Sequence, residues 1–256
     1  RLDAEILMAE ALGVSRSEML LRCMGDPVPA DFRALLDRRM KHEPVAQILG
    51  RKEFYGREFR VCRDVLTPRA DSEATVAAAL EVCSAKARIL DCGTGSGALL
   101  LTLLAELPHA TGIGIDRSAA ALAIAADNAA RLGLAERAQM RLADWREPGW
   151  SDQLGAFDCV IANPPYVEST FDLAPSVRDY EPAGALYAGP DGLDDYRVLI
   201  PQLPSLLEAG AIAVLEIGAT QAQAVAQIAA SAGFRSELRR DLGGRPRAFI
   251  LRLGLV

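Results

Sequence analysis

At 256 residues, the chain is long enough to bury a substantial core, as one large domain or a medium one with a small companion. Hydrophobic residues at 50% and charged residues at 24% exclude a disordered chain. A net charge of −6, from 28 Lys+Arg against 34 Asp+Glu, weighs against a surface built to grip phosphate backbones. The five cysteines (Cys23, Cys62, Cys83, Cys92, Cys159) include no C-x-x-C pair, which suits reduced thiols better than a disulfide framework or a zinc site. His42 and His109 lie far apart in sequence, so neither a metal centre nor a histidine dyad is expected. The opening Arg1-Leu2-Asp3-Ala4-Glu5 lacks the basic-then-apolar pattern of a secretory leader. No apolar run approaches the roughly 20 residues needed to span a bilayer. A soluble cytoplasmic protein without a membrane partner is expected.

In chain order, the first 50 residues read as short amphipathic helices. Leu2, Ile6, Leu7 and Ala9 recur at helical spacing up to Gly13. Ser15 is placed to cap a second helix through Met19, and Asp31 to cap a third through Phe32, Leu35, Leu36 and Met40. Such a bundle serves either as structural support or as a surface for a macromolecular partner. From Glu53 to Val61 aromatic and polar residues alternate around Gly56, a β-hairpin signal suited to a connector. Asp71-Ser72-Glu73 then opens a helix. Beyond it, strand-like runs at Ala87–Asp91, Thr111–Asp116, Phe157–Ala162 and Ala211–Ile217 alternate with helical stretches at Ala98–Leu107, Ser118–Leu132 and Tyr196–Leu207. Weaker strand signals fall at Gln139–Ala143, Phe234–Arg239 and Ala248–Leu253. This alternation predicts an α/β fold, a mostly parallel sheet covered on both faces.

The first of these strands runs into Asp91-Cys92-Gly93-Thr94-Gly95-Ser96-Gly97, a glycine-rich turn before a helix. In open parallel sheets ligands sit beyond the carboxyl ends of strands, where such turns lie. The next strand ends in Asp116, an acceptor suited to both hydroxyls of a ribose. Asp144 and Trp145 follow the presumed third strand, an acceptor and an indole suited to an adenine amine and its ring. The spacing G-x-G-x-G differs from the G-x-G-x-x-G of dinucleotide sites. Asp91 would repel a pyrophosphate and suits a cationic ligand such as a sulfonium or an amino group. An NAD-dependent oxidoreductase is thereby disfavoured.

Asn163-Pro164-Pro165-Tyr166 directly follows the strand Phe157–Ala162. Two successive prolines fix φ and lack N–H groups, which leaves the Asn163 side-chain oxygen and the Pro164 carbonyl as a rigid acceptor pair. A planar NH₂ group has two donors to match, and Tyr166 can lie along its flat face. Such acceptors raise electron density on an amide or amine nitrogen and aim it at a methyl donor, with orientation contributing roughly 7–11 kcal/mol. No histidine base is needed. These residues describe methyl transfer from S-adenosylmethionine to a planar nitrogen.

On these motifs, together with Thr67-Pro68-Arg69-Ala70-Asp71-Ser72-Glu73, Tyr180-Glu181-Pro182, Ala185-Leu186, Gly189, Gly192-Leu193, Arg240-Asp241-Leu242 and Arg247, the chain resembles the HemK-type peptide chain release factor glutamine methyltransferases along nearly its whole length. The resemblance implies a Rossmann-like class I S-adenosylmethionine-dependent methyltransferase with a small N-terminal helical bundle and a β-hairpin linker. The implied division is a substrate-recognition domain at 1–50, a linker at 51–67 and a methyltransferase domain at 68–256. The implied reaction methylates the glutamine side chain of the Gly-Gly-Gln motif in class 1 release factors, modulating translation termination. It implies S-adenosylmethionine as cofactor, S-adenosylhomocysteine as product and no metal. The release factor would be the partner of a monomer, with no direct nucleic acid contact. Gly93, Thr94, Gly95, Ser96, Gly97, Asp116, Asp144, Trp145 and Asn163 would bind the cofactor. Asn163, Pro164, Pro165 and Tyr166 would hold the glutamine.

Two residues depart from the family pattern: Ser72 stands for the more usual Thr, and Pro246 precedes Arg247 where an acidic or polar residue is commoner. Arg69 and Glu181 fit either a ligand-binding or a structural ion-pair role. The nearest alternative function is a DNA adenine or RNA guanine exocyclic-amine methyltransferase, since those NH₂ groups suit the same acceptors; the acidic net charge weighs against it. A non-catalytic module of the same fold is disfavoured by the intact Asn163 and Asp116.

Overall fold

The computed structural model describes residues 1–254. Four helices open the chain: α1 (Leu2–Leu12), α2 (Arg16–Arg22), α3 (Ala30–Met40) and α4 (Val45–Leu49). The Ser15 hydroxyl accepts from the Glu18 amide and caps α2, as its position suggested. Asp31 does not cap α3. The helix begins one residue earlier behind Pro29, and Asp31 lies in its first turn, where its charge faces the positive end of the helix dipole. None of the described helices is long and apolar enough to cross a membrane.

The hairpin follows as β1 (Arg51–Phe54) and β2 (Arg57–Arg60). Tyr55 and Gly56 at its tip both take positive φ, 51° and 73°, the backbone that lets a two-residue turn match the twist of its strands. Phe54 and Phe59 are buried edge to face in the core of the large sheet, so the hairpin is packed into the fold.

A 3₁₀ turn (Ala70–Ser72) leads into α5 (Glu73–Leu80), and then β3 (Arg88–Cys92), α6 (Ala98–Glu106), β4 (Thr111–Asp116), α7 (Ala119–Arg131), β5 (Ala138–Leu142) and β6 (Phe157–Ala162). After a short α8 (Pro175–Arg178) come α9 (Asp194–Leu199), β7 (Leu207–Glu216), α10 (Ala222–Ser231), β8 (Phe234–Arg240) and β9 (Pro246–Leu253). The sequence pattern marks one helix over Tyr196–Leu207. The structure instead stops α9 at Leu199 and continues as 3₁₀ turns over Ile200–Leu206, because Pro201 and Pro204 supply no N–H for an α-helical ladder. Helices α8 and α10 carried no readable signal.

The seven strands lie in the order β5-β4-β3-β6-β7-β9-β8. The first five are mutually parallel, and β9 runs antiparallel to both β7 and β8. Strand alternation divides the interior in two. Ile89, Cys159, Ile161, Ile212, Val214, Ala248 and Ile250 face α5 and α6, while Leu90, Cys92, Val160, Ala162, Ala213, Leu215 and Leu251 face α9 and α10. From β3 the chain winds outward to β4 and β5, then returns to place β6 on β3's other side. The carboxyl ends of β3 and β6 therefore flank the point where winding reverses, and the crevice opens there.

Asn128 on α7 joins three segments around that crevice. Its Oδ1 accepts from the Arg60 amide at 2.8 Å, and its Nδ2 donates to the Arg60 carbonyl at 3.1 Å and the Ser96 carbonyl at 2.8 Å. The side chain is wholly buried, so its loss strands three backbone groups. Asn128→Ala is expected to cost about 2–4 kcal/mol in urea unfolding; a loss below about 0.5 kcal/mol would show that the three bonds are dispensable.

Glu216, at the end of β7, is also buried. It accepts from the Thr75 hydroxyl at 3.2 Å. Burial pushes its carboxyl up to about 7, against the pull of Ser72, Arg247 and Thr75. The unfolded chain releases this proton near the ordinary value of 4.5 while the folded chain keeps it to about 7, so the associated stability is lost as pH rises across that window. Glu216→Gln should accordingly gain Tm over the parent progressively between pH 4.5 and 7 and hold a constant difference above; a pH-independent difference would refute the buried-acid account.

Candidate active site

Three glycines shape the turn after β3. Gly93, Gly95 and Gly97 take φ of 77°, 54° and 82°, left-handed backbone that residues with a Cβ rarely adopt. A Cβ on Gly93 would also lie 3.1 Å from the Trp145 ring. The turn is pinned to the end of β4: the Gly93 and Thr94 amides donate to the Ile115 carbonyl, and the Gly95 amide donates to Asp116 Oδ2 at 2.9 Å. The other Asp116 oxygen accepts from the Ser118 amide at 2.9 Å, and Ser118 in turn caps α7. Each carboxylate oxygen thus spends one lone pair on backbone and keeps the other for a ligand.

A cavity of about 290 Å³ spans these strand ends. Gly93, Thr94, Gly95, Ser96, Asp116, Asp144, Trp145 and Asn163 all line it, so residues spread over 71 positions converge on one space. Gly97 does not; it stands behind the turn as the first residue before α6, accepting from the Leu101 amide. Asp91 does not line it either. Its side chain lies under the turn, 1% exposed, with Oδ2 accepting from the Thr94 hydroxyl at 2.7 Å. Burial raises the carboxyl to about 7, so the residue read in the sequence as a charge suited to a cationic ligand lies buried and braces the turn through Thr94.

The wall at the β5 end is held by a residue with no sequence signal. Asp195, buried on α9, accepts from Trp145 Nε1 at 3.1 Å and pairs with Arg146 at 2.9 Å. Asp144 turns back on its own backbone, accepting from the Arg146 amide, while still lining the cavity.

A second cavity of about 410 Å³ opens beyond β6 and meets the first along a wall made by Leu66, Arg69, Asn163 and Ala185. Asn163 directly follows β6 and faces both spaces. Among the described residues neither its side chain nor the Pro164 carbonyl has a hydrogen-bond partner. Pro165 lines the first cavity, Tyr166 the second and Pro164 neither. Burial pushes the Tyr166 phenol up, reinforced by the nearby Glu216, so it stays a neutral hydroxyl on an apolar ring.

The far end of this loop is tied by Gln221, again without a sequence signal. Its Nε2 donates to the Tyr166 carbonyl at 3.0 Å and the Gly192 carbonyl at 3.1 Å, while its Oε1 accepts from the Gly218 amide at 3.1 Å. Gly192 permits this approach, since a Cβ there would collide with the Tyr166 carbonyl. The segment across the cleft is tied to the N-terminal helices: Gln47 donates to the Tyr180 carbonyl at 2.9 Å, and the Tyr180 hydroxyl donates to the Lys41 carbonyl at 2.7 Å.

Residues 1–50 match a family described as PrmC N-terminal domain, and residues 84–191 one described as Methyltransferase domain. The chain is 43% identical to the release factor glutamine methyltransferase of Cereibacter sphaeroides, over 98% of this chain and 90% of that protein. It is 40% identical to the release factor glutamine methyltransferase of Moorella thermoacetica over the same shares. Among solved structures, a methyltransferase from Pyrococcus furiosus superposes with a TM-score of 0.58 at 14% identity, covering 86% of this chain and 98% of that one, which speaks to the fold alone. With two fifths of its residues shared over nearly full length, the chain belongs to the release factor glutamine methyltransferase family.

Proposed function

We propose that this protein transfers a methyl group from S-adenosylmethionine to the side-chain amide nitrogen of the glutamine in the Gly-Gly-Gln motif of class 1 peptide chain release factors. The observation that carries the reading is the shared wall. Asn163, an acceptor without a partner among the described residues, faces a nucleoside-sized space on one side and a separate space on the other.

The residues of the first cavity fit the cofactor. Asp116 keeps two free lone pairs for ribose hydroxyls, Asp144 offers an acceptor to an exocyclic amine, and the Trp145 indole is locked by Asp195 beside the glycine turn. When bound, S-adenosylmethionine supplies an electrophilic methyl on a sulfonium. The chain's task is to present an unreactive amide to it. Asn163 Oδ1 and the Pro164 carbonyl accept the two amide hydrogens, which holds the nitrogen in place and stabilises positive charge as it develops there. Pro164 and Pro165 keep those acceptors rigid, and Tyr166 covers the amide plane. The proton departs after transfer, when the alkylated nitrogen is strongly acidic, so no side-chain base is required.

In the same reading, residues 1–50 recognise the body of the release factor, 51–67 link, and 68–256 catalyse. The hydrogen bonds from Gln47 and to Lys41 support this, because they join the helices to the segment that borders the cleft.

Mass spectrometry of a release factor incubated with enzyme and cofactor should find one added methyl on the motif glutamine. Methyl appearing in oligonucleotides and not in the release factor would overturn the proposal. Asn163→Ala is expected to reduce kcat by at least about 100-fold with little change in Tm; near-parental turnover would remove the acceptor-pair mechanism. Asp116→Ala should first weaken cofactor binding, read by calorimetry. Gln221→Glu keeps the acceptor for Gly218 but turns a carboxylate on two carbonyls, so kcat should fall about tenfold or more while cofactor affinity holds. Unchanged kcat there would mean that the loop needs no tie at Tyr166.

A further inference from the structure

Arg69 sits where the two cavities meet. Its Nη2 donates to Glu181 Oε2 at 2.6 Å; the Glu181 side chain is 1% exposed and that of Arg69 39%. Burial pushes the Glu181 carboxyl up, and Arg69 and Thr67 beside it pull it back. Among the described residues the Arg69 guanidinium makes no other hydrogen bond, so a buried carboxylate holds one corner of it and its remaining N–H groups are left to the cleft. Burying an acid to hold a cation costs desolvation, and the same packing would be cheaper with an apolar pair. Something in the cleft must draw on the charge.

The inventory of charges says what. The first cavity is lined by four acids, Asp64, Asp116, Asp144 and Asp195, and by two arginines, Arg69 and Arg117. Arg117 directly follows Asp116 at the end of β4 and donates to the Gly184 carbonyl at 2.7 Å. The sheet serves as a ruler. Strands β5, β4, β3 and β6 lie side by side, roughly 4.8 Å apart, so Asp144, Asp116, the glycine turn and Asn163 mark successive points along the cavity. The nucleoside acceptors occupy one end. Arg69 shares the other end with Asn163, where the amino-acid tail of an adenosyl ligand has to finish. That tail carries the ligand's α-carboxylate, and a planar guanidinium matches a carboxylate in two parallel bonds. The competing acceptor in the cleft is the carbonyl of the substrate amide. A cation there would draw the nitrogen lone pair further into the carbonyl and weaken the nucleophile.

We infer that Arg69, mounted on Glu181, is the binding site for the α-carboxylate of the cofactor's methionyl tail. The inference rests on the reading of the first cavity as an adenosyl site, and the test separates the two. Calorimetry would compare S-adenosylhomocysteine, its decarboxylated analogue and 5′-methylthioadenosine, which lacks the whole tail, on the parent, on Arg69→Lys and on the double variant Arg69→Met/Glu181→Gln. The double variant leaves no buried charge unpaired. The parent should prefer the carboxylated ligand about 10- to 100-fold. In the double variant that preference should shrink to within about twofold, with methylthioadenosine bound as before, and Arg69→Lys should fall between. An undiminished preference in the double variant overturns the inference, as does equal affinity of the parent for both tailed ligands. Loss of methylthioadenosine binding in the variant also overturns it, because Arg69 would then be holding the cavity and not the carboxylate. If the parent binds none of the three, the adenosyl reading itself fails.

Discussion

Strands β3 and β6 are hydrogen-bonded neighbours, Cys92 opposite Ala162, and their carboxyl ends each launch a loop that must not collapse onto the other. Everything around the cleft follows from keeping those two loops apart yet within reach. The glycine turn after β3 bends away through three left-handed residues and is pinned to β4 by the Ile115 carbonyl and Asp116. The loop after β6 is stiffened by two prolines and pulled toward β7 by Gln221. With the loops drawn to opposite sides, Asn163 remains on the ridge between two cavities.

The polar groups beneath the cleft are chosen for rigidity. Asp91, near the end of β3, and Glu216, at the end of β7 with β6 between, are both buried, both pushed toward neutrality, and both hydrogen-bonded to hydroxyls from the segments they brace, Thr94 and Thr75. Partly protonated acids hold a loop without projecting a full negative charge into it. The charges that do line the first cavity, such as Asp116 and Asp144, lie nearer the surface and are fixed by backbone amides.

Much of this was legible in the sequence because it is local. The strand–turn–helix pattern around Gly93, the acid that ends β4, and the Asn-Pro-Pro-Tyr run after an apolar strand each carry their meaning within ten residues. The cap at Ser15 and the hairpin around Gly56 are equally local. What escaped depends on distance. Asp195 reaches Trp145 from 50 positions away, and Gln221 reaches Tyr166 from 55. Helix α10 is mostly alanine and glutamine with only Val225 and Ala229 fully buried, too weak a stripe to read. The helix read over Tyr196–Leu207 failed because its apolar spacing persists through 3₁₀ turns that Pro201 and Pro204 impose. Asp91 reads in the sequence as a charge suited to a cationic ligand, and its burial under the turn is not legible there, since a strand residue's surroundings depend on what packs over it.

The thin wall between the two cavities also bears on chemical control of this protein. Leu66, Arg69, Asn163 and Ala185 line both cavities, so under the proposed assignment a molecule made to fill both would have its two halves joined beside Asn163. A short tether from an adenosyl thioether to a glutamine-like amide would convert two modest binding events into one, with an effective concentration of order millimolar. A longer tether would squander that gain in chain entropy. The geometry that brings a donor and an amide together for an instant is thus also a template for holding a joined pair of them permanently.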